Sequence, residues 1–238
     1  MCTVTFLQSE GKTLITSNRD EQVQRSAASA PVTEKLTSGK IIFPKDGKVG
    51  GTWIAMHHNG NAMVLLNGAT KKHIHNPPYK KSRGLVFLDI FDSSFPSKQF
   101  LKTDLDDIEP FTLVIWDNKQ LFEARWDGNI ATMEEIDHTV PHIWSSVTLY
   151  DNEVIEKRQQ WFKEWLSANN PITIESILMF HTFGGEGDEH IDLRMNRNGI
   201  LRTVSITSIE LTKSKSLMQY NDMLTGSEST NEWLFANS

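Results

Sequence analysis

The chain has 238 residues, and its 24 Lys and Arg against 30 Asp and Glu leave a formal charge of −6, which argues against polyanions such as nucleic acid as main partners. With 38% apolar and 23% charged residues it is slightly polar but globular and long enough to bury a substantial core, so disorder of the whole chain is excluded. No apolar run approaches the roughly eighteen residues of a membrane helix, and the opening MCTVTFLQSEGK has neither a basic leader nor a long apolar stretch; a soluble, unexported, cytoplasmic protein is the expectation.

The opening reads as a hairpin: Thr3 to Leu7 and Thr13 to Ser17 are rich in Thr, Val, Ile, Leu and Phe and flank the turn Ser9-Glu10-Gly11-Lys12. With Glu10 and Gly11 as the two turn residues, position 2 lies opposite position 19, so Cys2 faces Arg19 with Cβ atoms about 5 Å apart. One extra turn residue would bring Asp20 opposite instead. After a polar stretch from Gln22 to Lys40, Thr52 to His57 and Asn61 to Asn67 form a second hairpin around Asn59-Gly60.

A first helix is expected over Leu85 to Phe91. Strands 111–116, 120–126 and 129–134 continue as a meander through the turns Asp117-Asn118-Lys119 and Asp127-Gly128. A second helix runs from Asp151, a good N-cap, to a stop at Asn169-Asn170-Pro171, with Val154, Arg158, Trp161, Phe162, Trp165 and Leu166 at helical spacing. A third spans Thr173 to Phe180, and Leu201 to Leu211 alternates as a long strand. Hairpins with helices between them favour an α+β layered fold over a βαβ repeat. The expectation is a single domain, 1–238, with a polar and partly mobile tail at 213–238.

Cys2 is the single cysteine, which excludes an intramolecular disulfide or a multi-thiolate zinc site. Removal of Met1 would place a thiol and a free α-amine on one residue. The amine, with an ordinary pKa of about 7.7–8.0, can take the proton of a thiol at about 8.5. Arg19 would stabilise thiolate and developing negative charge, and Asp20 could accept from the ammonium. Taken alone, Cys2 is equally an incidental buried small residue and Asn18-Arg19-Asp20-Glu21 a solvated strand end. A nucleophile, a cation and a carboxylate converging on one hairpin end is the informative feature.

Asn67, at the end of an apolar strand, could donate to an oxyanion or simply terminate the strand. The basic loop Lys71, Lys72, His73, His75, Lys80, Lys81 and Arg83 is suited to a carboxylate or phosphate, or is plain solvated surface. His73 and His75 lack a third metal ligand, and His57 and His58 would point to opposite faces of a strand, so no metal is expected. Gly184-Gly185-Glu186-Gly187-Asp188 lacks the Lys and Ser or Thr of a phosphate-binding loop, and Asp104, Asp106, Asp107 and Glu109 lack the glycine and distal glutamate of an EF-hand. Both read as loops.

Met1-Cys2-Thr3 together with Asn18-Arg19-Asp20-Glu21 resembles the NRDE family, also named for transport and Golgi organisation protein 2. Gly50-Gly51-Thr52-Trp53, the strand ending at Asn67, and Ser82-Arg83-Gly84 extend the resemblance through the first ninety residues. Further on, Ser145-Ser146 stands where a Ser-Asn pair is expected, and Arg202-Thr203 agrees with an arginine expected near that point, with no role assigned to it. The family is similar to N-terminal nucleophile hydrolases of the bile-salt hydrolase and penicillin acylase group. That resemblance implies a four-layer αββα sandwich, with Cys2 as nucleophile, Arg19 and Asp20 as its electrostatic partners and Asn67 as an oxyanion donor. The implied reaction is attack on a non-peptide amide or related small acyl compound, a thioester intermediate, then hydrolysis. No cofactor is implied. The rival reading is a non-catalytic carrier of haem or an acyl-containing metabolite; with no CxxCH motif, any haem would be non-covalent. Oligomeric state is not legible in the sequence.

Overall fold

The computed structural model describes residues 3–235; Cys2 lies outside them. The chain divides into two compact units, Met1–Arg25 with His138–Ser238, and Ser26–Asp137.

The first unit is built on a seven-stranded antiparallel sheet: β1 (Thr3–Ser9), β2 (Lys12–Gln22), β10 (His142–Ser145), β11 (Asn196–Arg197), β12 (Leu201–Leu211), β13 (Lys215–Asp222) and β14 (Glu228–Leu234). Their order is β10-β1-β2-β12-β13-β14, with β11 paired to β12. Two helices belong to it, α3 (Asn152–Ala168) and α4 (Ile174–Phe183). Both start as their sequences dictate. Asp151 accepts from the backbone N–H of Val154, and Thr173 and Ser176 cap each other reciprocally. Leu7 and Leu14 on one face of the sheet pack with Phe162, Ile174, Ile177, Phe180 and Leu193, so α3 and α4 cover that face.

The second unit carries the other seven-stranded antiparallel sheet, in plain chain order: β3 (Val32–Lys35), β4 (Lys40–Phe43), β5 (Ile54–His57), β6 (Ala62–Asn67), β7 (Phe111–Asp117), β8 (Gln120–Trp126) and β9 (Ala131–Ile136). It has α1 (Arg83–Phe91), capped by Ser82, and the short α2 (Pro96–Phe100). Val86, Phe87, Ile90 and Phe91 of α1 are buried. The two glycine motifs of this region meet backbone to backbone. Thr52 N–H donates to the Gly84 carbonyl at 3.2 Å, and a Cβ on Gly51 would stand 2.5 Å from the Gly84 carbonyl carbon. Only glycine permits that approach.

Several elements differ from expectation. The polar stretch after Gln22 contains β3, whose alternation of half-buried and exposed residues carries little apolar signal. Within the segment expected as a partly mobile tail, Lys215–Asp222 and Glu228–Leu234 form β13 and β14. β14 presents Ser229, Asn231 and Trp233 on one side and Glu228, Thr230 and Glu232 on the other, so its order comes from the ladder with β13 rather than from an apolar face. At Asn59-Gly60 only Gly60 takes positive φ, 89°. His57 ends β5 and His58 already belongs to the turn, so strand alternation does not separate them and their rings lie 4.5 Å apart.

Candidate functional site

The β1–β2 hairpin turns at Glu10 and Gly11, with φ of 49° and 75°, the backbone a two-residue right-twisted turn needs. Its ladder runs from Ser9 opposite Lys12 to Thr3 opposite Asn18. On the far side β2 pairs with β12, where Asp20 lies opposite Thr203 and Arg19 opposite Ser205. Val204 is thus the extra residue of a β-bulge, a device that re-aims side chains and raises local twist. Its carbonyl accepts from the N–H of Met223 at 2.9 Å.

Strand alternation divides the Asn18-Arg19-Asp20-Glu21 motif. Asn18 and Asp20 lie on the side of Leu14 and Thr16, toward α3 and α4. Asn18 is fully buried; its Nδ2 donates to the carbonyls of His181 at 3.1 Å and Leu193 at 2.6 Å. Its Oδ1, able only to accept, meets His181 Nδ1 at 2.6 Å, which fixes the proton on Nδ1. Nε2 then accepts from the Thr5 hydroxyl at 2.8 Å. Complete burial, and secondarily the charge of Arg158, pushes His181 down to about 3, so its imidazole is neutral.

Asp20 is buried and accepts at both carboxylate oxygens: from the Tyr150 hydroxyl at 2.8 Å and from Thr203 Oγ1 at 2.5 Å. Thr203 Oγ1 in turn accepts from the N–H of Met195 at 2.9 Å. Two guanidinium groups stand over the Tyr150 ring, Arg158 at 3.7 Å and Arg197 at 5.3 Å from its centroid. Beside Thr203 is a cavity of about 290 Å³ whose lining includes Arg194, Met195 and Arg202.

Arg19 and Glu21 lie on the opposite side of β2, with Ile15 and Ser17. Arg19 is 3% exposed, and its Nη2 donates to Glu21 Oε2 at 3.5 Å; Arg25 reaches the same oxygen at 3.4 Å. Ser17 Oγ and Thr207 Oγ1 are buried on this side without a hydrogen-bond partner among the described residues. Tyr220, beside them on β13, is pushed up by burial and by the charge of Asp222.

Asn67 closes β6 in the second unit, opposite Phe111. The basic loop of that unit does hold a carboxylate, one of the chain's own. His73 Nε2 and His75 Nδ1 each lie 3.1 Å from Glu109 Oε1, and Arg83 lies 3.0 Å from Oε2. Burial pushes Glu109 up, but Arg83, with help from His73 and His75, outweighs it and holds the carboxyl below its ordinary range. Among the described residues no cluster of His, Cys, Asp and Glu could hold a metal ion. Tyr150, Arg158, His181 and Thr203 were not singled out as site residues from sequence. The signal available was strand parity, which sets Asn18 and Asp20 apart from Arg19 and Glu21.

The pattern of the Transport and Golgi organisation 2 family matches residues 1–216. The chain belongs to that family. No curated protein sequence matches it. Among solved structures, this Transport and Golgi organisation 2 chain is similar to penicillin V acylase from Agrobacterium tumefaciens, at 10% identity, 96% of this chain and 84% of the other, with a TM-score of 0.56. It is also similar to the Caenorhabditis elegans orthologue of N-acylethanolamine-hydrolyzing acid amidase, at 12% identity, 87% and 92% coverage and a TM-score of 0.57. A third is a variant of conjugated bile acid hydrolase from Clostridium perfringens, at 11% identity, 100% and 97% coverage and a TM-score of 0.54. The α+β fold of the N-terminal nucleophile hydrolase type expected from the sequence is the fold of these structures. No helix among the described residues is long and apolar enough to cross a membrane.

Proposed function

We propose that this protein is a cysteine N-terminal nucleophile hydrolase that cleaves the C–N bond of a small, non-peptide acyl amide. The observation that supports the reading is the hairpin register: the ladder runs to Thr3 opposite Asn18, and Arg19, the next residue of β2, is buried; in this reading Arg19 is the cation that serves Cys2. A cation beside a thiol favours thiolate over thiol. With Met1 removed, the α-amine of Cys2 takes the thiol proton as sulfur attacks the carbonyl carbon. The resulting ammonium returns the proton to the leaving nitrogen as the C–N bond breaks, and water then hydrolyses the thioester.

In this reading Asp20 stays in the site as a carboxylate whose two oxygens are taken up by Tyr150 and Thr203, and it holds β2 against β12 at the bulge that presents Arg19. The assignment of Asn67 as oxyanion donor rests on the family resemblance. The named substrates of the similar structures supply the panel: penicillin V, an N-acylethanolamine and a conjugated bile acid.

Intact mass of the native protein, before and after incubation with that panel, tests the proposal. The expected result is a chain lacking Met1, a transient acyl adduct, release of the amine, and loss of both adduct and release in Cys2→Ala. A retained Met1, or turnover indifferent to Cys2→Ala, rejects it. Saturable haem binding indifferent to Cys2, with no hydrolysis, is the carrier outcome.

A further inference from the structure

Arg158, in the middle of α3, is fully buried, yet among the described residues no carboxylate lies within ion-pair reach of it. Its donors go to oxygens of two distant segments. Nε and Nη2 donate to the Ile191 carbonyl at 3.0 and 2.8 Å, Nη2 also reaches the Asp192 carbonyl at 2.6 Å, and Nη1 donates to the hydroxyl of Thr3. Desolvating a guanidinium without a counter-ion is costly, and an apolar side chain would fill the same volume more cheaply. What an apolar side chain cannot do is tie the loop after α4 to the first residue of β1. The planar fork does so, with the Tyr150 ring closing its remaining face at 3.7 Å.

Thr3 is the residue next to Cys2. We propose that Arg158 is a positioning residue: by gripping the Thr3 hydroxyl it fixes the start of β1 and, through it, tunes the reactivity of the neighbouring Cys2 thiol. This rests on the reading of Cys2 and Arg19 given above. Arg158 itself stays on the helix side of the sheet with Asn18 and Asp20, and acts through Thr3 rather than on a substrate.

The test is the pH dependence of iodoacetamide alkylation in the native full-length protein. Cys2 is the single cysteine, so intact mass reports its modification directly, and Cys2→Ala is the blank. Thr3→Val removes the gripped hydroxyl at constant shape. The midpoint of alkylation is expected to rise by about one pH unit in this variant, lowering the rate at neutral pH by up to about tenfold, in a chain that still folds but melts at a lower temperature, because one buried guanidinium donor loses its acceptor. Arg158→Lys keeps the charge but not the fork, and is expected to follow Thr3→Val rather than rescue it. Arg158→Met is expected to lose stability as well; if it fails to fold, Thr3→Val and Arg158→Lys carry the test.

Wild-type midpoints in folded Thr3→Val and Arg158→Lys overturn the proposal. The two layers separate cleanly. A wild-type thiol with an ordinary midpoint rejects the Cys2–Arg19 reading itself. A depressed midpoint that moves with Arg19→Met but not with Thr3→Val rejects the positioning role alone.

Discussion

The two sides of β2 treat one four-residue motif in opposite ways. Toward α3 and α4, Asn18 and Asp20 have every oxygen and amide hydrogen described above placed on a partner: His181 and Leu193 for one, Tyr150 and Thr203 for the other. On the other side Arg19 is as buried as Asp20, but its neighbours include hydroxyls, Ser17 and Thr207, that find no partner among the described residues. A fully satisfied polar network rigidifies and specifies a structure; buried polar atoms left open are costly and call for a role of their own. The comparison teaches that parity divides a charged motif at a strand end: the even positions form a brace, and the odd positions carry the buried guanidinium that the proposed function uses.

The largest stability effect is expected from Asn18→Leu, which takes the amide donor from the His181 carbonyl, leaves the Leu193 carbonyl only a long 3.4 Å contact from Thr203 Oγ1, and strips the His181 N–H of its acceptor. A loss of about 3 kcal/mol, read by denaturant unfolding, follows if each costs about 1 kcal/mol. A loss well below that would mean the brace is not where the stability lies.

Acid comes next. His181 titrates at about 3 in the folded chain and near 6.5 when unfolded. Between those values the unfolded state binds the extra proton, so this contribution is fully present above about pH 6.5 and is lost as pH falls toward 3. From pH 7 to pH 5 the loss is about 2 kcal/mol, and a folded His181→Gln variant is expected to show a pH dependence flatter by that amount.

Tyr150→Phe removes one hydrogen bond to Asp20 and is expected to cost about 1 kcal/mol while leaving the Cys2 alkylation midpoint in place, because it does not touch the Arg19 side. Smallest is Gly11→Ala in the hairpin turn. Its φ of 75° is unfavourable for a Cβ, at about 1 kcal/mol or less, and nothing lies within 4 Å of the added carbon to add a clash.

Much of the fold was legible because its signals are local. Glu10-Gly11, Asp151, Thr173 and the alternation of Leu201 to Leu211 each decide their element within a few residues. β14 was not, since neither of its sides is apolar. The site was legible as far as chain register could carry it: whether Arg19 or Asp20 stands opposite position 2 depends on the turn, and the observed ladder runs to Thr3 opposite Asn18, with position 2 outside the described residues. What could not be read was the support around it. Arg158 fits the helical pattern of α3 as one more residue, and its bond to Thr3 spans 155 positions. The bulge at Val204 leaves no mark in the sequence, yet it sets Asp20 on Thr203 and Arg19 on Ser205.

The most direct test of the division compares Arg19→Met with Asp20→Asn by the pH midpoint of Cys2 alkylation. The expected result is a wild-type midpoint below the ordinary thiol value of about 8.5, raised by a unit or more in Arg19→Met and unmoved in Asp20→Asn, whose penalty appears in stability. A midpoint that ignores Arg19 and follows Asp20 would contradict the account.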